Sequence, residues 1–149
     1  MPYNNFAWRI SAFMAATAAG TFWGNKSSGV NFIKLAKLHT GVGAYFALWL
    51  LLIWFAAQFR WVPSPGLWTI FGAGIGVLIG LEFSCANILF FARQKQTDKF
   101  RLGTIYAADL FGSCLGALGV SVFMVPAYGV YKTLLFLIIV NALMAVMLL

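Results

Sequence analysis

GTIYAADLFGSCLGALGVSVFMVPAYG, residues Gly103 to Gly129, sets a single acid, Asp109, among apolar and small residues over a length that suits a bilayer. A carboxylate at membrane depth costs about 2.5–3.5 kcal/mol on insertion scales, so it turns toward protein, water or an opposite charge. The whole chain supports reading this run as membrane-embedded. Of its 149 residues 62% are hydrophobic and 9% charged, with a mean hydropathy of +0.90. That composition has too little polar surface to clothe a soluble domain.

Working outward, four more apolar blocks stand beside this one, and the fold class expected is an all-α integral membrane protein. The helices are placed at about residues 6–24, 39–59, 67–92, 103–125 and 129–149, a single transmembrane domain over 1–149. Each block has the roughly 20 residues that a spanning helix needs. The blocks are continuous rather than alternating, which argues against barrel strands. The first is the least hydrophobic, but no basic region precedes its apolar core, so no cleaved signal peptide is expected. WVPSPG, Trp61 to Gly66, supplies the turn between the second and third.

Basic residues set the orientation. Lys26, Lys34 and Lys37 follow the first block, and Arg93, Lys95, Lys99 and Arg101 follow the third, seven on one side against Arg9, Arg60 and Lys132 on the other. The positive-inside rule then predicts an outside N-terminus and a cytoplasmic C-terminus, in a bacterial inner membrane. The net charge of +7 is mostly this asymmetry. Contact with anionic lipid accounts for it, and no nucleic-acid partner is expected. In the stretch Asn25 to Leu38, Phe32, Ile33, Leu35, Ala36 and Leu38 interleave with Lys34 and Lys37, which predicts a short helix lying in the inner interface.

Small residues recur at four-residue spacing: Gly72, Gly76, Gly80 and Ser84 in the third helix, Ala108, Gly112 and Gly116 in the fourth, and Ala16, Gly20 and Gly24 in the first. Such ladders let helix backbones approach in lipid, where no hydrophobic drive holds them together. Asp109 shares the face of Gly112 and Gly116, so it is expected to point into protein. Glu82 precedes Ala92 by ten residues and Asp109 follows Gly103 by six, while Asn141 falls near the same level of the last helix. At about 1.5 Å per residue these three form a polar layer some 10–15 Å from the inner boundary, with Asn87 and Tyr106 nearby. No basic residue lies at mid-depth, so a protonated acid or a bound cation is expected rather than a permanent salt bridge.

Several chemistries have no seat here. His39 is the only histidine, which excludes a bis-histidine haem; an interfacial or capping role at the inner end of the second helix is expected, and axial ligation is the lesser reading. Cys85 and Cys114 lie in different helices and read as packing residues. Neither a dinucleotide fingerprint nor a P-loop occurs. No metal, cofactor or catalytic residue is expected. Trp8, Trp23, Trp61 and Trp68 near segment ends read as interfacial anchors.

The run with Gly103, Tyr106, Asp109, Gly112 and Gly116, the turn from Pro126 to Gly129, and Asn141 in the last helix also carry a likeness. Together they resemble the membrane region of the membrane-bound spermidine synthase-like proteins, whose multi-pass helices accompany a polyamine aminopropyltransferase domain. AFMAATAAGTFWG (Ala12 to Gly24) and GLEFSCA (Gly80 to Ala86) extend the similarity, with Ser84 where that family carries proline. The resemblance implies a membrane module working beside a separately encoded partner; with no catalytic domain after Leu149, it does not imply a synthase.

Two function classes follow. The first is a non-catalytic multi-pass subunit that packs against or anchors another membrane or membrane-associated protein. The second is a small oligomeric transporter or channel that passes a cation or polyamine by Glu82 and Asp109. Size, a single histidine and little polar surface favour the first.

Overall fold

The computed structural model describes the backbone of residues 2–27, 29–60, 62, 64–92 and 99–149, and the side chains of 7–27, 29–60, 62, 64–91 and 107–149. All regular structure among the described residues is helical: α1 (Pro2–Lys26), α2 (Phe32–Gln58), α3 (Pro65–Ala92), α4 (Lys99–Leu118) and α5 (Val125–Met147), with a π-helical segment, Gly119–Met124, joining the last two. Three stretches are long and apolar enough to cross a membrane, Phe32–Gln58, Pro65–Phe91 and Ala107–Met147. Their surfaces carry large apolar side chains outward, among them Leu51, Phe55, Phe111 and Leu115, as contact with lipid tails requires. Trp8, Trp23 and Trp68 are exposed near helix ends, whereas Trp61 lies outside the described residues.

Two boundaries differ from the expectation, each for a local reason. Phe32 to Leu38 is not a separate interfacial helix but the first two turns of α2. Asn31 caps it: extended at φ −137°, it accepts the Lys34 N–H at 2.8 Å, satisfying one of the amides that a helix start leaves free. At the other end of the chain, the turn expected at Pro126 to Gly129 is largely helical. Pro126 has no N–H to give, and the preceding π segment absorbs the fault, with the Val125 N–H reaching back five residues to the Val120 carbonyl. Only Gly129 leaves helical geometry, at φ 77° and ψ 166°, a conformation essentially reserved for glycine.

The body of the molecule is built on α3. α1 lies along it in the same direction, Phe13 and Thr17 meeting Gly76 and Gly80, and Gly24 meeting Ser84. Backbone touches backbone there. A Cβ on Gly20 would strike the Val77 carbonyl, one on Gly80 the Thr17 carbonyl, and one on Gly76 would stand 2.8 Å from the Phe13 oxygen. The small-residue ladder is thus a packing seam at Gly20, Gly24, Gly76, Gly80 and Ser84. Gly72 is outside it: a Cβ there would have nothing within 4 Å, because the seam ends a turn further along α3. Ser84 is almost fully buried and donates to the Thr21 carbonyl at 3.2 Å, also touching Asn25 Oδ1.

α2 packs antiparallel to α3 through rings. Phe71 stacks on Trp49 with centroids 4.0 Å apart and on Tyr45 at 4.9 Å, while Trp68 meets Trp49 edge-on at 5.1 Å. The Tyr45 hydroxyl donates to the Phe71 carbonyl at 3.0 Å and lies against Gly74, where no side chain obstructs it. Tyr45→Phe is expected to cost about 1 kcal/mol, seen as a small fall in the unfolding midpoint in detergent.

On its other side α2 carries α5. The contacts step in opposite directions along the two chains, Gly43 against Ile138 and Asn141, and His39 against Asn141, so α5 runs parallel to α3. α4 packs against none of α1, α2, α3 or α5 among the described residues, and is joined to the body only through the π segment.

Candidate functional site

Three helices bring their polar side chains to one point. His39, two turns into α2, faces Glu82 of α3, with Nδ1 3.0 Å from Oε1, and both side chains are 18% exposed. Asn141 of α5 completes the group, its Oδ1 3.4 Å from the same Nδ1 and its Nδ2 donating to the Leu137 carbonyl at 2.9 Å. Gly43 lies against this group, where a Cβ would stand at ordinary contact distance, 3.6 Å, from Asn141 Cβ.

The chemistry of the group follows from which atoms face which. Asn141 gives an amide proton to the Leu137 carbonyl and turns its oxygen to the imidazole. Nδ1 thus faces two oxygens, Asn141 Oδ1 and Glu82 Oε1. Glu82 Oε1, although 3.0 Å from Nδ1, is buried without a hydrogen-bond partner. Such an atom is costly at low dielectric, and the histidine charge or dipole beside it is what offsets the cost.

Of the expected polar layer, Glu82 and Asn141 share this junction through His39. Asp109 does not belong to it: it is exposed on α4, which does not reach α3 among the described residues. Within this chain no described helix covers Asp109, which the sequence grouped with Glu82 and Asn141. Gly112 and Gly116, expected to pack, would have nothing within 4 Å of a Cβ, because no described helix of this chain covers that face. Among the described residues no polar contact joins Asn87 to the group, and the Tyr106 side chain lies outside them.

His39 is the residue that sequence reasoning placed elsewhere. With α2 begun at residue 39 it sat at a helix end; with α2 begun at Phe32 it lies inside the bundle. The signal was available in the hairpin itself, since His39 precedes Trp61 by 22 residues and Glu82 follows it by 21. Two helices folded about that turn must bring the pair level.

A second feature adjoins the junction. Between α2 and α5 runs a groove of about 410 Å³, bordered by His39 at one end and floored by small and aliphatic side chains including Ala44, Ala47, Ala142 and Ala145. Among the described residues no group of three or more His, Cys, Asp or Glu side chains stands close enough to hold a metal ion. No family model, curated protein or solved structure matches the chain.

Proposed function

We propose that the chain is a non-catalytic, multi-pass subunit of the bacterial inner membrane that packs against a partner membrane protein through α4. The observation that carries this reading is the uncovered face of α4, where Asp109 is exposed beside Gly112 and Gly116. Left to lipid, the carboxylate costs a few kcal/mol, about 2.5–3.5 on insertion scales. A helix with small residues of its own and a cation or hydrogen-bond donor at that depth removes the cost, and the two glycines admit its backbone closely.

A bundle of five passes agrees with the same reading. α3 and α5 run in one direction, so the segment between them has to recross the bilayer, and α4 is the helix available. The stretch Ala107–Met147 contains 41 residues; at about 1.5 Å each it measures about 60 Å, twice a hydrocarbon core, and Gly129 divides it. With five passes the loop charges favour an outside N-terminus and a cytoplasmic C-terminus. The likeness to membrane regions that accompany a synthase fits a bundle working beside another protein. The transport reading needed Glu82 and Asp109 on one path, and α4 does not pack on α3 among the described residues.

Purification from the native membrane in mild detergent, followed by native mass spectrometry, tests the proposal. A stoichiometric foreign protein is expected, lost in Gly112→Leu and Gly116→Leu and weakened about tenfold in Asp109→Asn, the effect of one charged contact. A lone monomer or a homo-oligomer overturns it.

A further inference from the structure

A pocket of about 380 Å³ opens between α1 and the first turns of α3, lined by Trp8, Arg9, Pro65, Gly66, Thr69 and Ile70. The subunit reading uses none of it. Arg9 is the charged group of the lining and is half-buried. Among the described residues it makes neither an ion pair nor a hydrogen bond. A guanidinium stays protonated in proteins, so this charge calls for an anion. No described acid of the chain is placed to supply one. Glu82 follows Gly66 by sixteen residues of α3, about 24 Å of helix. Asp109 stands on α4, which packs against neither α1 nor α3 among the described residues.

The place and the walls of the pocket narrow the anion. The apolar span of α3 begins at Pro65, so in a helix that crosses the membrane the pocket stands level with the lipid headgroups. The rest of the lining is half apolar and turned outward: Trp8 is 69% exposed and Ile70, one turn further into the span, 72%. A soluble anion would meet the charge and leave that flank in contact with nothing it prefers, whereas an amphiphile meets both. Thr69 already gives its hydroxyl proton to the Pro65 carbonyl at 3.1 Å, which leaves the guanidinium as the strong donor, in a fork that matches two phosphate oxygens. We propose that this pocket binds the headgroup phosphate of a glycerophospholipid, its two free oxygens on Arg9 and its acyl chains descending past Ile70.

The full chain, freed of native lipid in dodecyl maltoside, is titrated with dioleoyl phosphatidylglycerol and, separately, with dioleoylglycerol, which has the same chains and no phosphate; native mass spectrometry counts the lipid bound per chain. One saturable phospholipid is expected, with dioleoylglycerol about tenfold weaker, as is the phospholipid on Arg9→Gln. Thr69→Phe, which fills the pocket and leaves Arg9 in place, is expected to abolish binding with an unchanged circular dichroism spectrum. Arg60→Gln removes an exposed cation at the same end of the bundle but outside the lining, and is expected to bind as the wild type does. So is Asp109→Asn, which keeps this result independent of the partner proposed for α4. Equal binding of the two lipids, equal losses in Arg9→Gln and Arg60→Gln, unchanged binding by Thr69→Phe, or displacement of the phospholipid by inorganic phosphate at equal concentration would each overturn the assignment, the last of them in favour of a soluble anion.

Discussion

Gly80→Leu is expected to part α1 from α3 and to cost about 3 kcal/mol or more, the upper end for a side chain forced into a closed seam. A Cβ at this position would run into the Thr17 carbonyl and lie 2.8 Å from the Thr21 amide nitrogen. Backbone cannot step aside as a flexible side chain can. Gly72→Leu, two turns away on the same helix, is expected to be nearly neutral, because a Cβ there would have nothing within 4 Å. Denaturant titration of both variants in detergent micelles, with limited proteolysis to detect a released α1, separates the two. Equal stability of Gly80→Leu and Gly72→Leu would mean that α1 is not held by this seam.

The second large effect is expected from His39→Leu. Removing the imidazole leaves the buried Glu82 oxygen with neither charge nor dipole beside it, a loss of about 3–5 kcal/mol if the carboxylate stays ionised. Adding Glu82→Gln to His39→Leu is expected to recover most of that, since an amide without a partner is much cheaper to bury than a carboxylate. The double-mutant cycle reads the coupling directly. Additive single effects would show that the two side chains are close in space but energetically independent.

The helical, membrane-spanning character of the chain was legible from composition and from block length, because both respond to the one requirement that lipid imposes on a backbone. The seam between α1 and α3 was legible too, through Gly20, Gly24, Gly76, Gly80 and Ser84. Spacing alone could not tell which rungs of a ladder meet a neighbour: Gly72, Gly112 and Gly116 repeat the same pattern and face open space. The polar junction was half legible. Glu82 and Asn141 were placed at one depth, and Asp109 was grouped with them by depth as well, but α4 does not pack on α3 among the described residues. His39 was missed through a start of α2 set seven residues late, because the stretch with Lys34 and Lys37 read as a separate interfacial helix rather than as the first turns of one capped by Asn31. Depth along a helix is written in sequence; which helix stands next to which is written only in three dimensions.

The parallel pairing of α1 with α3 also governs the order in which the chain can be made. α1 leaves the ribosome before α3, yet the surface that fits its glycines and threonines belongs to that later helix. Between those moments the least apolar helix of the protein has no partner of its own chain, and only the completed α2–α3 hairpin offers one. Biogenesis therefore depends on whatever holds α1 at the membrane until that hairpin is in place, and a chain stopped after α2 should be degraded rather than accumulate.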